Sequence, residues 1–450
     1  MRSPGTAREI ALAVLLAEEQ EGAYVNLALN QAYARFHPAG RDRGFITELV
    51  YGSVRRRNTI DWALAPFLRR PAASLDPVVR SILRLGAYQL IYLERVPAAA
   101  ACNESAQMTR RMGFSSAVGL VNAVLRNLQR ALPLRFPDPG EEPVRYLSLY
   151  HSHPEWLVTE WLDCFGYDET QALLAADNLP APFAVRTNTL KITREELEGS
   201  LAAAGISAAP ARWAPEGLYL EKAGAPENPL FQEGLYFIQD EAAMLVARAL
   251  APSPGGLVID LCGAPGGKTT HLAALMEGSG RLLAVDIHAH RLVLLAENCQ
   301  RLGVPNVVGH LADARHLPEY HGTADFVLVD APCSGLGVLR RRPDLRWRKT
   351  PADMAGLADL QAELLDEAAL CLKSGGVLVY STCTIRPGEN ELQVARFLAR
   401  HLDFHRDDLA PHLPEALLTG SETGQLQLLP HRHTTDGFFL ARLVRSRSSL

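Results

Sequence analysis

The sequence lacks closely spaced cysteines. Its seven cysteines lie at least twelve residues apart along the 450 residues, so the C-x-x-C pairs of zinc-binding and redox motifs are missing. An odd number of cysteines in a chain without a signal peptide indicates free thiols. We therefore expect no metal site. We also expect four of the cysteines to be buried as small apolar side chains: Cys102, Cys164, Cys299 and Cys371.

Long apolar runs are missing as well. No stretch approaches the ~18 consecutive apolar residues of a membrane-spanning helix, and Met1–Gly5 leads into an amphipathic pattern rather than a signal peptide. With 48% hydrophobic and 21% charged residues, the composition is typical of a globular protein in water. These features predict a cytoplasmic protein that has no membrane partner, and we expect a monomer.

Lysine is absent from the N-terminal third. Residues 1–130 contain 17 arginines, no lysine and 10 acidic residues, which gives this segment a net charge of +7 in a chain whose total is −5. An arginine-rich segment on an acidic protein is consistent with a surface that contacts a phosphate backbone. Arginines scattered over solvated helix faces would give the same count, so the sequence leaves both interpretations open.

Apolar periodicity divides the chain into three regions. A helical period runs through the first region and predicts an all-helical domain over residues 1–135. Short strands and helices over residues 145–235 predict a small α/β module after a proline-rich linker. Over residues 236–450 strands alternate with helices, as in a Rossmann-like, doubly wound and mainly parallel sheet. Its predicted strands are Leu257–Cys262, Arg281–Ile287, Val307–Leu311, Phe326–Asp330 and Gly376–Thr382, followed by a hairpin at Gln425–Leu429 and Gly437–Val444.

A glycine-rich turn follows the first strand of this predicted sheet. A phosphate loop would need a glycine at Cys262, and a dinucleotide loop is broken at Pro265. The remaining interpretation is a loop for an adenosyl cofactor, S-adenosylmethionine, which glycines allow to approach the backbone closely. The candidate loop residues are Cys262, Gly263, Ala264, Pro265, Gly266, Gly267 and Lys268.

Acidic residues stand at the ends of the following strands. Asp286 lies 19 residues after Gly267, a spacing that suits hydrogen bonds to ribose hydroxyls. Asp313 follows the third strand, where it could reach the adenine amino group, and Asp330 ends the fourth. One such aspartate is more often a helix cap. Three in successive strand-loop positions favour a binding site for a cationic sulfonium cofactor.

The two remaining cysteines suit a specific chemistry. Carbon 5 of cytosine is a poor nucleophile, but a thiolate that adds at carbon 6 turns the ring into an enamine that can accept a methyl group. A carboxyl at ring N3 assists the addition. Asp330 and Cys333 follow the fourth strand and Cys383 the fifth, so all three are expected at the carboxyl edge of the sheet beside the cofactor.

These motifs resemble those of two known families. The Sun/Fmu (nucleolar-protein) family of RNA 5-methylcytosine methyltransferases has motifs similar to Asp260–Leu272, Val285–Asp286, Ala312–Ala314, Asp330–Gly335, Arg340–Trp347, Tyr380–Thr384 and Asp436–Phe439. The NusB family, an RNA-binding helical fold, has segments similar to Asp42–Arg43, Leu49–Gly52, Arg84–Leu90 and Asn122–Asn127.

The resemblance implies an S-adenosylmethionine-dependent enzyme that methylates carbon 5 of a cytosine in small-subunit (16S) ribosomal RNA. It implies that Cys383 is the nucleophile, that Cys333 helps to release the product, and that Asp330 contacts ring N3. Lys268 is expected to orient Asp330 or the carboxylate of the cofactor. A transfer-RNA cytosine-C5 methyltransferase of the same family remains an alternative, as does an RNA-binding antitermination or assembly factor. The NusB-like region argues against the former, and the intact cysteines and aspartate argue against the latter.

Overall fold

The computed structural model describes residues 5–221, 228–419 and 423–447, and its contacts divide the chain into two compact units. The first runs to Leu179 and also includes Leu339–Arg348; we call it the helical unit. The second comprises Pro180–Val338 and Lys349–Leu450; we call it the sheet unit. Across the described residues, no helix combines the length and the apolar character that crossing a membrane requires.

The helical unit is built from amphipathic helices, as the sequence predicts. The first begins with a capping box, in which the Thr6 hydroxyl accepts a hydrogen bond from the Glu9 amide and the Glu9 side chain accepts one from the Thr6 amide. Apolar stripes such as Ile46, Leu49 and Val50 form the buried core of the unit. The helices are α1 (Ala7–Glu21), α2 (Val25–Phe36), α3 (Gly40–Arg55), α4 (Arg57–Leu64), α5 (Pro77–Tyr92), α6 (Ala98–Arg111), α7 (Val118–Ala131), α8 (Pro143–His151), α9 (Glu155–Phe165) and α10 (Tyr167–Ala176).

Helices α8–α10 pack in the helical unit, although the sequence assigns residues 145–235 to one α/β module. The Thr59 hydroxyl donates to the Leu149 carbonyl at 2.5 Å, and the Asn58 amide donates to the Ser148 carbonyl at 3.2 Å. The unit boundary at Leu179 therefore falls inside the predicted module. Periodicity identifies these helices but carries no information about the neighbours that they pack against.

Residues Leu339–Arg348, which we call the strap, also belong to the helical unit. Arg346 is fully buried, and its guanidinium donates to the backbone carbonyls of Ser152 at 3.0 Å and Asp177 at 3.3 Å. Burial lowers the pKa of Arg346 to about 9. The Trp347 indole donates to the Val54 carbonyl at 2.7 Å. The Arg340–Trp347 motif therefore serves packing within the helical unit.

The sheet unit contains a small antiparallel sheet of four strands in the order β2-β3-β1-β4 among its described residues. The strands are β1 (Phe183–Thr187), β2 (Ala208–Pro210), β3 (Gly217–Leu220) and β4 (Tyr236–Ile238). Leu197 and Leu201 of a neighbouring helix belong to the same apolar cluster as Val185 and Leu218 of the sheet. This pattern agrees with the short strands that the sequence predicts for the small α/β module.

The large sheet has eight described strands in the order β10-β12-β9-β8-β5-β6-β7, with β11 paired to β12. Pairs within the run β9-β8-β5-β6-β7 are parallel, and pairs with β12 are antiparallel. The strands are β5 (Leu257–Asp260), β6 (Arg281–Asp286), β7 (Val307–Leu311), β8 (Ala324–Asp330), β9 (Leu372–Thr382), β10 (Phe404–Arg406), β11 (Gln425–Leu428) and β12 (Phe438–Arg445). The helices that follow α10 are α11 (Arg194–Ala203), α12 (Pro229–Gln232), α13 (Glu241–Leu250), α14 (Gly267–Leu275), α15 (Ala289–Leu302), α16 (Leu345–Arg348, in the strap), α17 (Pro351–Cys371), α18 (Glu391–Arg400), α19 (Glu415–Leu418) and α20 (Pro430–His433).

The burial of the four cysteines predicted to be core residues is mixed. Cys102 and Cys371 are buried and Cys299 is partly buried, but Cys164 is exposed. The prediction is therefore wrong for Cys164. This residue lies in the last turn of α9, beyond the buried Trp161, where the helix reaches the surface.

Candidate active site

The five parallel strands of the large sheet end at one edge, and the predicted site residues follow those ends. The glycine turn follows β5, Asp286 ends β6, Asp313 follows β7, Asp330 ends β8 and Cys383 follows β9. In the ladder between β8 and β9, Asp330 lies opposite Ser381. The topology of a parallel sheet thus gathers residues that are far apart in the sequence.

The two candidate thiols are in contact. The Cys333 Sγ and the Cys383 Sγ are 3.2 Å apart. Their loops are fixed by backbone hydrogen bonds, from the Ala331 amide to the Ser381 carbonyl at 2.9 Å and from the Gly337 amide to the Cys383 carbonyl at 3.0 Å. The hydrogen bond with Cys383, together with burial, raises the pKa of the Cys333 thiol well above its ordinary value. Cys333 therefore stays protonated and can donate to the sulfur of Cys383.

The carboxylate of Asp330 is held at both oxygens. Oδ2 accepts from the Lys268 Nζ at 2.7 Å, and Oδ1 accepts from the Ser381 hydroxyl at 2.9 Å. Burial of Lys268 lowers its pKa, but the charge of Asp330 and the hydrogen bond to it outweigh burial, so the pKa of Lys268 is raised. The Lys268 ammonium also lies 4.8 Å from the centre of the Phe438 ring. Of the two roles predicted for Lys268, the ion pair with Asp330 favours the orientation of Asp330.

The glycine turn requires glycine at two positions. A Cβ at Gly263 would lie 2.9 Å from the Ala284 Cβ. Gly266 has a φ of 103°, in the left-handed region, and a Cβ there would lie 2.6 Å from the Leu295 Cδ1. The turn therefore lies close against its neighbours and exposes backbone rather than side chains toward a ligand.

A buried hydrogen-bond chain supports the same turn. The Thr269 hydroxyl lies 2.7 Å from the Asp260 Oδ2 and 2.8 Å from the Gly263 carbonyl oxygen. A hydroxyl carries one proton and cannot donate to both oxygens. Burial raises the pKa of Asp260 to about 7. A protonated Asp260 that donates to Thr269, which in turn donates to Gly263, satisfies the whole chain.

We expect the Asp260→Asn variant to change how stability depends on pH. The pKa of Asp260 in the folded protein lies above the ordinary value of 3.8. Between these two pKa values the unfolded chain holds fewer protons than the folded protein, so the free energy of unfolding falls as pH rises toward 7. The amide of asparagine cannot ionise but can donate to Thr269. Between pH 5 and 8, the stability advantage of the wild type over Asp260→Asn should decrease by about 2–3 kcal/mol.

Denaturant unfolding at several pH values measures this difference directly. The Asp313→Asn variant is a matched control, because Asp313 is partly exposed and its hydrogen bonds with Arg315 lower its pKa. Parallel pH profiles for the wild type and Asp260→Asn would mean that Asp260 is ionised throughout this range.

A cleft of about 420 Å³ lies beside the glycine turn, and its lining includes Cys262, Asp286 and Asp313. Asp286 is buried. Its Oδ1 accepts from the His288 amide at 2.9 Å, and its Oδ2 lies 2.8 Å from an Arg291 nitrogen. The remaining walls are largely apolar, so a flat ring and a ribose with two acidic partners fit this cleft. Asp330 lies with the thiols and is not among the described lining residues.

Arg186, a residue of β1 whose side chain supports the glycine turn, was not predicted from the sequence. Its side chain is 2% exposed, and it donates to the Gly267 carbonyl at 2.5 Å and to the Thr270 hydroxyl at 2.9 Å. Burial lowers the pKa of Arg186 to about 9. The small sheet therefore holds the first turn of α14. An arginine inside the apolar strand Phe183–Thr187 was the available signal, since buried charges need partners.

Glu389 was also missed, and it fixes the loop that carries Cys333. The side chain is 1% exposed. Its Oε2 accepts from the Ser334 amide at 2.8 Å and from the Gln361 side chain at 3.1 Å. The same Gln361 nitrogen donates to the Pro332 carbonyl at 2.9 Å. The buried polar side chains of Glu389 and Gln361 thus fix the conformation of the loop.

Three family models match successive parts of the chain. Residues 5–130 match the NusB family, residues 153–226 match the RsmF/B-like ferredoxin-like domain, and residues 247–444 match the 16S rRNA methyltransferase RsmB/F family. These matches and the two sheets confirm the predicted fold class, a NusB-like helical domain followed by a small linker domain and a Rossmann-like methyltransferase domain.

Several relatives match over nearly the whole length of the chain. The chain is 40% identical to the probable ribosomal RNA small subunit methyltransferase B of Bacillus subtilis, over 97% of this chain and 98% of the relative. It is also 40% identical to the corresponding protein of Synechocystis, over 98% and 100%. The crystal structure of PH0851 matches with a TM-score of 0.83 at 28% identity, over 98% of this chain and 99% of that one. The crystal structure of NSun6 from Pyrococcus horikoshii with SFG matches with a TM-score of 0.60 at 28% identity, over 66% and 99%.

Proposed function

Because the chain belongs to the ribosomal RNA small subunit methyltransferase B family, we propose that it methylates carbon 5 of a cytosine in 16S ribosomal RNA with S-adenosylmethionine as the methyl donor. Ribosomal RNA is the substrate class that the family implies. A cytoplasmic location, where bacterial ribosomes are assembled, is part of this proposal.

The contact between the Cys333 and Cys383 thiols carries the proposal. A single thiol suffices to form a covalent adduct with the base. A second thiol at 3.2 Å gives the site a group that can assist when the adduct must be broken. Beside this pair, Lys268 and Ser381 hold the Asp330 carboxylate in one orientation. A nucleophilic thiol, a second thiol that assists release and an oriented carboxyl together suit the methylation of a pyrimidine ring carbon.

In the proposed reaction, the Cys383 thiolate adds to carbon 6 of cytosine and forms a carbon–sulfur bond. Cys333 donates a hydrogen bond to Cys383, and Lys268 supplies a positive charge nearby, so both stabilise the thiolate. Asp330, when protonated, donates a hydrogen bond to ring N3 and transfers its proton there, which neutralises the negative charge that the addition pushes into the ring. Carbon 5 becomes nucleophilic and gains the methyl group. A base then takes the carbon 5 proton, and the electron pair of that carbon–hydrogen bond re-forms the ring double bond and expels the Cys383 thiolate. Cys333 assists by donating a hydrogen bond to the leaving sulfur.

The cofactor would lie in the cleft beside the glycine turn. When bound, S-adenosylmethionine supplies an electrophilic methyl group. Asp286 would accept hydrogen bonds from the ribose, Asp313 would contact the adenine, and the backbone from Cys262 to Gly267 would line the remaining side. The match to NSun6 with SFG, an S-adenosylmethionine analogue, supports S-adenosylmethionine as the cofactor.

The test of this function is transfer of a tritiated methyl group to RNA, followed by identification of the product nucleoside. Naked 16S RNA and assembled small subunits are compared as substrates, with transfer RNA as the control. The proposal predicts 5-methylcytidine in 16S RNA. Label in transfer RNA alone, or in a nucleoside other than 5-methylcytidine, would contradict it.

We expect Asp286→Ala and Asp313→Ala to weaken S-adenosylmethionine binding by about 1–3 kcal/mol each, because a hydrogen-bonding group of the ligand loses its partner. The loss should be larger for Asp286, which is 3% exposed in its side chain, than for Asp313, which is 41% exposed. Titration calorimetry on the full chain measures both affinities. The Asp325→Ala variant is a suitable control, because Asp325 lies in β8 and pairs with Lys373. Unchanged affinity in both test variants would remove the cleft as the cofactor site.

A further inference from the structure

The positive charge of the helical unit is unevenly distributed over its surface. Glutamates of α1 neutralise the arginines of α4 and α5 that face them. Glu18 binds Arg57 at 2.5 Å, and Glu19 binds both Arg80 and Arg84 at 3.0 Å. These arginines stabilise the packing of the unit and are poorly placed to bind a phosphate. The excess positive charge of residues 1–130, whose net charge is +7, therefore lies on other surfaces of the unit.

One such surface is a groove of about 250 Å³ between α6 and α7, which we call the α6–α7 groove. Its polar lining consists of amide side chains and two exposed arginines, together with the backbone of a glycine: Asn103, Gln107, Arg110, Gly119, Asn122 and Arg126. Within the part of the chain that the structure describes, no carboxylate lines this groove, and neither of its arginines has a carboxylate partner.

The groove is also partly preorganised. The Arg126 Nε donates to the Asn122 Oδ1 at 3.0 Å, which restrains the guanidinium and leaves its two terminal nitrogens available to a ligand. A side chain at Gly119 would meet no atom within 4 Å, so the groove is open to solvent at this point. A ligand can therefore approach the backbone of α7 without displacing any side chain.

We propose that the α6–α7 groove binds a single strand of RNA. The proposal rests on the proposed function and identifies where the helical unit holds the substrate. Guanidinium groups bind phosphate oxygens in a bidentate manner. Amide side chains both donate and accept, so they can pair with base edges and 2′-hydroxyls that are free in unpaired nucleotides.

The test compares two double variants of the full chain that remove the same charge. Arg110→Gln/Arg126→Gln alters the groove, and Arg69→Gln/Arg70→Gln alters exposed arginines elsewhere in the helical unit. Affinity for a labelled single-stranded RNA and for 16S RNA is measured over a range of salt concentrations. We expect the groove variant to bind at least about fivefold more weakly and to lower the salt slope by about 1.4, the contribution of two phosphate contacts to a single strand. The control variant should bind within about twofold of the wild type.

Equal losses of RNA affinity in the two double variants would overturn the proposed role of the groove, because they would show a non-specific effect of net charge. Unchanged RNA affinity in the groove variant would overturn it as well and would favour a protein partner for this surface. Methyl transfer at saturating RNA should be the same in the control variant and the wild type, since Arg69 and Arg70 lie outside the groove. If the wild type methylates no RNA but the groove variant still shows the selective loss of affinity, the groove is supported and the proposed function is wrong.

Discussion

We expect the Cys383→Ala variant to lose methyl transfer by at least about three orders of magnitude while it binds S-adenosylmethionine with unchanged affinity. Without the thiolate, carbon 6 gains no covalent bond, so carbon 5 remains a poor nucleophile. The cofactor cleft should be unaffected, because Cys383 is not among its lining residues in the described structure. Single-turnover transfer of a tritiated methyl group measures the first effect, and calorimetry measures the second.

The Cys164→Ala variant is the control for removal of a thiol, because Cys164 is exposed on α9 of the helical unit. It should retain wild-type activity. Substantial turnover by Cys383→Ala would show that Cys383 is not the nucleophile. A loss of cofactor binding together with activity would mean that the substitution disturbs the fold, and Cys383→Ser, which keeps the shape of the side chain, then decides between the two explanations.

We expect the Cys333→Ala variant to stop after methyl transfer and to remain attached to its RNA. The methylated base is still bonded to Cys383 at that stage, and the group that assists the breaking of this bond is missing. Labelled RNA should therefore migrate with the protein on a denaturing gel, at one adduct per protein at most. The protonated state that the structure indicates for Cys333 fits a residue that donates to the leaving sulfur.

The double variant Cys333→Ala/Cys383→Ala provides the control, because it cannot form the adduct and should show no shifted band. If Cys383→Ala traps RNA and Cys333→Ala does not, the two roles must be exchanged. Their contact at 3.2 Å makes this comparison necessary, since both sulfur atoms can reach the same base and the distance alone assigns neither role.

Motifs that depend on the ends of parallel strands could be predicted from the sequence. Strand β7 agrees with the predicted Val307–Leu311 at both ends, and the predicted hairpin corresponds to β11 and β12. The gathering of Asp330, Cys333 and Cys383 follows from strand topology, which the alternation of strands and helices already indicates. The assignment of roles to the two cysteines came from the family resemblance and remains a prediction.

Other features depend on packing between segments that are distant in the sequence. Strand β10 (Phe404–Arg406) has one apolar residue followed by His405 and Arg406, so no run of strand-forming residues marks it. Arg186 lies 81 residues from the Gly267 carbonyl that it binds, and Glu389 lies 55 residues from the Ser334 amide. Periodicity describes each segment by itself, so it cannot identify side chains that support a site from another element.

Because of the strap, a deletion of the residues before Pro180 affects more than the helical unit. A fragment that begins at Pro180 still carries Leu339–Arg348 but lacks every residue that surrounds this segment in the helical unit. The Arg346 guanidinium would lose the carbonyls of Ser152 and Asp177, and the Trp347 indole would lose that of Val54. Conversely, a fragment that ends at Leu179 lacks the strap, which belongs to the helical unit. Truncation at the apparent boundary therefore damages both products.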